Sequence, residues 1–279
     1  MLFRKLYLIA ALFLVFCLFC PIEGMAQVVK EVDIEQLKQE ADQGNPNSQL
    51  HLGFLYMTGQ AGLAEDSARA AALFQSASDK GLAEASHNLG LLYVEGKGVP
   101  LDDAKALNLF QKAANQGYAP SQYNLGLMYH LGRGAEVDYV KAAQWYKKAA
   151  DQNYVIAQVS LGQMYEAEQG VERDDAQAAA WYRRAADQGN GSAQYLLGSL
   201  YAQGRGVDQD FQEAAKWMLK AAQAGQPQAQ KTMGDYYYKG TGVDPNPSQA
   251  ASWYQKAAAQ GVGTANTMLE NMRNEGLIK

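Results

Sequence analysis

The chain has 279 residues, with 24 lysines and arginines against 29 aspartates and glutamates, and a formal net charge of −5. This acidic balance argues against nucleic acid or an anionic membrane surface as the main partner. Both cysteines lie in the first 20 residues. Disulfides, a thiol nucleophile and a cysteine metal site are therefore excluded for the rest of the chain.

The N-terminus has the pattern of a secretory signal. Arg4 and Lys5 precede an apolar run from Leu6 to Phe19, and Gly24-Met25-Ala26 supplies the small residues of a signal-peptidase site. The apolar run is short for a membrane span. We predict that residues 1–26 are a cleaved signal peptide and that the mature chain is periplasmic or secreted by a bacterium, with no integral membrane segment.

Lipid attachment is an alternative for this segment. It would use Cys17 or Cys20 as the acylated residue. Phe16 and Phe19 precede these cysteines, where such sites prefer a small residue. The pattern therefore favours simple cleavage over lipidation.

A single helix follows the signal. Residues Glu31 to Asp42 have helical character, and Gly44 ends the segment. We predict that residues 27–47 form an N-terminal capping helix.

A unit of 36 residues, with a single 37, then recurs six times. Its first half carries Leu-Gly or Met-Gly, with a tyrosine three residues later, as at Gly126 and Tyr129. A glycine inside a helix costs about 1 kcal/mol relative to alanine, so we expect another backbone to approach it closely. The marker glycines are Gly53, Gly90, Gly126, Gly162, Gly198 and Gly234.

The second half of the unit is a second amphipathic helix. In the third copy Ala142, Trp145, Tyr146 and Ala149 share one helical face. The predicted N-caps are Asp66, Asp102, Asp138, Asp174, Asp210 and Asn246, with capping-box partners Gln177, Glu213 and Gln249. The predicted C-terminal residues are Gly44, Gly81, Gly117, Asn153, Gly189, Gly225 and Gly261.

Stacked helix pairs of this period form a solenoid, in which each repeat covers the apolar face of its neighbour. The fold class is therefore all-α: an α-α superhelix of six helix-turn-helix repeats over residues 48–261. Residues 262–279 are predicted to be a C-terminal capping helix, because Glu270 and Arg273 replace the marker Gly and Tyr.

The motif of the unit, A-x-x-x-L-G-x-x-Y-x-x-G-x-G-V…D-x-x-K-A-x-x-W-Y-x-K-A-A-x-Q-G, resembles that of the Sel-one-like repeat (SLR) family, which is related to tetratricopeptide repeats. The period and the Gly-x-Gly loop, as in Gly132-Arg133-Gly134, favour this family over the 34-residue tetratricopeptide unit. The resemblance implies the solenoid and a protein-binding role, and leaves the partner open.

No pattern of catalytic or metal-binding residues is found. The histidines His51, His87 and His130 are spread over three repeats, so no zinc site is predicted. The Gly-x-Gly loops lack the strand and spacing of a dinucleotide site, and their glycines are expected to supply positive φ. No serine has lysine three positions later, which argues against a serine β-lactamase. We predict no enzyme activity and no cofactor.

The predicted partner-binding residues lie on the first helix of each unit, opposite its core stripe. By similarity to tetratricopeptide repeats, these positions line the concave groove, apolar in the first three repeats and polar in the last three. The alternative is that a tighter superhelix, or the N-terminal helix, fills the apolar half. The residues are Leu50, Phe54, Met57, His87, Leu91, Val94, Tyr123, Leu127, His130, Tyr195 and Tyr238.

The predicted function is a non-catalytic scaffold or adaptor of the bacterial cell envelope, which holds a peptide or helix of another protein in the groove. The alternative is a protein that binds peptidoglycan fragments or β-lactams, or modulates cell-wall enzymes, with tyrosines such as Tyr123 and Tyr195 stacking on sugar rings.

Overall fold

The computed structural model describes residues 33–279, which contain fourteen α-helices and no strand. The predicted signal peptide over residues 1–26, with Cys17 and Cys20, and residues 27–32 of the predicted capping helix lie outside the described residues. The helices are α1 Ile34–Asp42, α2 Pro46–Thr58, α3 Ser67–Asp79, α4 Ala83–Glu95, α5 Asp103–Asn115, α6 Ala119–Leu131, α7 Tyr139–Asp151, α8 Val155–Ala167, α9 Asp175–Asp187, α10 Gly191–Gln203, α11 Phe211–Gln223, α12 Pro227–Lys239, α13 Pro247–Ala259 and α14 Gly263–Asn274.

Each of the six repeats is an A helix, a loop and a B helix, from α2 and α3 in repeat one to α12 and α13 in repeat six. Every helix packs against the one before it and the one after it. The predicted all-α solenoid is confirmed. At the C-terminus, α14 buries Leu269 and Met272 against α13 and keeps a polar outer side.

The predicted helix ends are confirmed. The Asp138 carboxylate accepts a hydrogen bond from the Lys141 amide at 2.9 Å, and equivalent side chains cap the other five B helices. At the other end Asn153 has a φ of 62°. It adopts the left-handed conformation that glycine supplies in the remaining repeats.

The predicted capping boxes are wrong. In a capping box the Gln177, Glu213 and Gln249 side chains would accept the N–H of the cap residue. That N–H already donates to the carbonyl of the A-helix tyrosine: Asp210 N lies 3.0 Å from Tyr201 O. Glu213 instead pairs with Lys216 at 2.6 Å.

The marker glycines lie against a side chain of their own repeat's B helix. A Cβ at Gly162 would lie 2.5 Å from Cε1 of Tyr182. A close approach to these glycines was expected and is confirmed. In five repeats, however, the atom nearest to the missing Cβ belongs to an aromatic ring and not to a backbone. Repeat five differs, since a Cβ at Gly198 would lie 3.2 Å from both the Ala214 carbonyl oxygen and Cγ of the flexible Met218, a looser contact.

This contrast predicts unequal effects of one substitution. Gly162→Ala is expected to lower the free energy of unfolding by about 1–2 kcal/mol, because overpacking outweighs the gain in helix propensity. The Tyr182 ring is fully buried and its hydroxyl donates to Glu166 at 2.5 Å, so it cannot swing aside. Gly198→Ala is the matched control and should change stability by less than about 0.5 kcal/mol. Urea unfolding followed by circular dichroism measures both, and equal losses would contradict the prediction.

Buried glutamines join consecutive repeats, a feature the sequence analysis missed. Near the start of α8, Gln158 Nε2 donates to Ala150 O of the preceding B helix at 3.2 Å. Gln188 then donates to Gln158 Oε1 at 2.9 Å. The signal was a Gln five residues after the C-terminal Gly or Asn, at Gln49, Gln122, Gln158, Gln194 and Gln230.

Two acceptors of this ladder, Gln49 Oε1 and Gln194 Oε1, have no hydrogen-bond partner among residues 33–279. Ala224 stands where Gln152, Gln188 and Gln260 donate in other repeats, and Gln194 Oε1 is buried without a partner. Ala224→Gln is expected to satisfy this acceptor and raise the free energy of unfolding by about 1 kcal/mol. Ala224→Met, of similar length without a donor, is the control. Equal urea midpoints for the two variants would show that the hydrogen bond from the introduced glutamine side chain to Gln194 Oε1 contributes nothing to stability.

Candidate interaction faces

The A helices present the face that was predicted to contact a partner. Eight of its eleven predicted residues are partly exposed and three are buried. The partly exposed residues are Leu50, Phe54, Met57, Leu91, Leu127, His130, Tyr195 and Tyr238, and the buried ones are His87, Val94 and Tyr123.

Tyr123 is buried between aromatic neighbours. Its ring stacks on Tyr146 with centroids 5.5 Å apart, and Tyr154 at the start of the next A helix lies 5.6 Å away. Burial raises the pKa of the Tyr123 hydroxyl. The prediction that Tyr123 lines an open groove, or stacks on a sugar ring, is wrong, because the next repeat covers it.

His87 is buried in the same way. Its ring lies 5.5 Å from Phe110 and 5.2 Å from Tyr118, and its Nδ1 is 2.9 Å from the Ser121 hydroxyl of the next A helix. Val94 is buried as well, beside Phe110. These residues seal joints between repeats and are not available to a partner.

His130 keeps part of its surface. Its ring meets Tyr139 edge-on at 5.2 Å and lies 6.4 Å from Tyr146. Burial lowers its pKa, and Nδ1 has no hydrogen-bond partner among the described residues. His130 therefore belongs to the rim of the surface that follows.

Repeat three exposes an apolar surface that the sequence analysis missed. Leu131 is 38% exposed, Val137 53%, Tyr139 39% and Val140 54%. Val137 lies beside Gly132, next to Leu131. We call Leu131, Val137, Tyr139 and Val140 the repeat-three edge.

The signal for this edge was in the alignment of the repeats. The counterparts of Leu131 in the other five repeats are Thr58, Glu95, Ala167, Gln203 and Lys239. The predicted interaction residues come only from one face of the A helix and include neither its last residue nor the loop that follows. A shallow pocket adjoins the edge, lined by Val94, Phe110, Asn124, Leu127, Met128, Leu131 and Arg133.

The A-helix face of repeats four to six is polar, and its charges are paired. The Arg205 guanidinium bonds Asp175 at 2.9 and 3.1 Å and also lies 3.0 Å from Glu166. The hydrogen bonds from Arg205 are the main reason why the pKa of the Asp175 carboxyl is lowered. In repeat six, Asp235 pairs with Lys231 at 2.6 Å. Such neutralised carboxylates are poorly suited to general acid–base chemistry.

Tyr238 is tied to the end of the chain. Its hydroxyl donates to the Glu275 carboxylate at 2.6 Å, just beyond α14. Tyr195 packs partly against the repeat-five core and stays partly exposed. Of the two residues predicted to bind a partner in the polar half of the groove, Tyr238 is therefore held by a hydrogen bond to Glu275, and Tyr195 is the better candidate for a contact.

Residues 33–279 hold no group of three or more His, Cys, Asp or Glu side chains placed to bind a metal. Over the same range, no helix is long and apolar enough to cross a membrane.

The repeat architecture agrees with a known family. The Sel1 repeat profile matches residues 46–82, 83–118, 119–154, 155–190, 191–226 and 227–262. The chain belongs to the Sel1 repeat family. Sel1 repeats are in general non-catalytic scaffolds that mediate protein–protein binding.

Two solved structures of Sel1-type proteins are similar to the chain. One is a protective antigen present in uropathogenic Escherichia coli strains and displaying an SLR fold, with a TM-score of 0.86 and 37% identity. The match covers 88% of this chain and 52% of that one, so the chain spans about half the length of this relative. The other is a Sel1 repeat protein from Oxalobacter formigenes, with a TM-score of 0.76, 37% identity and coverage of 85% and 68%. No curated protein matches the chain.

Proposed function

We propose that the chain is a non-catalytic adaptor of the bacterial cell envelope that binds a polypeptide at the repeat-three edge. Its envelope location rests on the signal-like pattern of residues 1–26. The Sel1-type relative that is a protective antigen supports the same setting, since such antigens are met by the host. The role is regulatory, in secretion or assembly, or in contact with a host.

The observation that carries the proposal is the exposure of four large apolar side chains in one repeat. Val137 and Val140 are each more than half exposed; equivalent positions elsewhere are mostly polar or small, with Leu101 of repeat two, 63% exposed, as an apolar exception. Contiguous exposed apolar surface on a soluble protein usually marks a contact site. The partly exposed Leu127 and His130 continue this surface onto the A-helix face.

The test is a capture experiment with a matched control. The chain, immobilised, is incubated with envelope extract of the source organism, beside the variant Leu131→Ser, Val137→Ser and Val140→Ser. The control variant changes the equivalent positions of repeat five, Gln203→Ser, Gln209→Ser and Gln212→Ser, which are also exposed.

We expect one polypeptide to be retained by the wild type and the control and lost by the edge variant, and to bind the purified chain directly. A loss of about 2 kcal/mol, roughly thirtyfold in affinity, is expected if the edge holds the central contact. Retention by all three proteins would exclude the edge. Retention of peptidoglycan fragments alone would favour the cell-wall function instead.

A further inference from the structure

The B helices carry a row of cations above the tryptophans. In repeats three to six a Lys or Arg follows the tryptophan by three residues and stacks on its ring. The cation-to-centroid distances are 3.7 Å for Lys148 on Trp145, 4.5 Å for Arg184 on Trp181, 4.0 Å for Lys220 on Trp217 and 4.1 Å for Lys256 on Trp253. We call Lys148, Arg184, Lys220 and Lys256 the cation row.

No carboxylate of residues 33–279 lies within 4 Å of these four cations, although acidic residues outnumber basic ones in the chain. The neighbouring Lys147, in contrast, pairs with Asp151 at 2.7 Å. Among the described residues, the Arg184 guanidinium donates a hydrogen bond to a neutral oxygen, Asn153 Oδ1 at 3.4 Å. All four are exposed at the surface.

Intramolecular effects explain part of this arrangement. A cation in the last turn of a helix is favoured by the helix dipole, and stacking on indole stabilises it modestly. Neither effect requires that the charge stay free of carboxylates in an acidic chain. Both the helix dipole and the stacking on indole fix the position of each cation before a partner binds, which lowers the entropy cost of binding.

The spacing of the row is set by the stacking of the repeats. Trp181 packs into the core cluster formed by α7 and α8, and Trp217 into the one formed by α9 and α10. Each tryptophan therefore bridges to the preceding repeat, and about one helix diameter, roughly 10 Å, separates neighbouring repeats of the stack. That distance equals about three residues of extended chain or seven residues of helix.

We propose that the cation row binds an acidic segment of a polypeptide, with one carboxylate facing each repeat. Sparse single charges suit such a segment better than nucleic acid or polyphosphate, whose charges are only a few ångströms apart. The row is separate from the repeat-three edge, so either can fail without the other.

The tryptophans provide a local reporter, because all four in the chain lie beneath the row. Intrinsic fluorescence is followed while short poly-L-glutamate is added at low salt, and calorimetry repeats the titration independently. The row variant is Lys148→Gln, Arg184→Gln, Lys220→Gln and Lys256→Gln.

The matched control removes four other cations of the B helices, by Lys105→Gln, Lys141→Gln, Lys147→Gln and Lys216→Gln. These lysines are exposed and each already pairs with an aspartate or glutamate. Both variants lose the same net charge, so long-range repulsion cancels between them. Circular dichroism and the urea midpoint verify that both fold.

We expect the wild type and the control to bind polyglutamate saturably and the row variant to bind on the order of tenfold more weakly. Binding should weaken as salt rises from about 20 to about 200 mM. Equal weakening of both variants, or no saturable binding by the wild type, would overturn the proposal. Tighter row-dependent binding of polyphosphate or of phosphatidylglycerol vesicles would overturn its assignment to an acidic polypeptide.

Discussion

Gly206→Ala is expected to lower the free energy of unfolding by about 3 kcal/mol, a larger effect than that of any other glycine substitution proposed above. Gly206 is the second glycine of the loop in repeat five and has a φ of 66°. A Cβ there would lie 2.1 Å from the Asp175 carbonyl oxygen of the preceding repeat and 2.2 Å from its carbon. Because the obstacle is backbone, no side-chain rotation can relieve it.

The consequence spreads through the joint between repeats four and five. To make room, the loop must move off the start of α9, which would pull Arg205 from Asp175 and Glu166. The cost therefore combines an unfavourable backbone conformation with the loss of this ion-pair network.

Gly189→Ala separates these two contributions. Gly189 has a φ of 86°, but nothing lies within 4 Å of its missing Cβ. This variant should cost only about 1 kcal/mol, the penalty of a left-handed conformation alone. Urea unfolding compares the two variants, and equal losses would show that contact between repeats adds nothing at Gly206.

The fold was predictable from the sequence because every repeat meets the same neighbour. The pattern of Gly126, Tyr129 and Asp138 recurs at one spacing, so the helix pair predicted for one repeat applies to all six. The loop glycines were expected to supply positive φ, which is confirmed. Their packing against the preceding repeat could not be predicted. A glycine with positive φ has the same sequence pattern whether or not the backbone of another repeat lies against it.

The interaction surface was less predictable, because exposure at one position depends on the following repeat. His87 and Tyr123 occupy the position of Leu50, yet only Leu50 keeps exposed surface. Tyr118 and Tyr154 begin the next A helices and lie against the two buried rings, whereas Leu82 holds their position after Leu50. A helical face considered alone cannot show what its neighbour covers.

The burial of His87 predicts a loss of stability in mild acid. Burial lowers its pKa from 6.5 to about 4, because the charged ring would lose its water and gain no carboxylate. Phe110, Tyr118 and Ser121 surround it. Since the unfolded chain binds the proton more readily, stability should be complete above about pH 6.5 and fall as the pH drops towards 4. The full loss is about 3 kcal/mol.

His87→Asn isolates this effect, because an amide accepts or donates at the Ser121 hydroxyl but does not titrate. Its free energy of unfolding should be lower than that of the wild type at pH 7 and approach it at pH 4.5, measured by urea titration at each pH. His130 remains in both proteins and cancels in the difference. The carboxylates whose pKa is lowered, such as Asp102 and Asp138, lose their contribution only at lower pH. Parallel pH curves for the two proteins would show that the joint between repeats two and three opens without protonation of His87, and that its burial is not what limits acid stability.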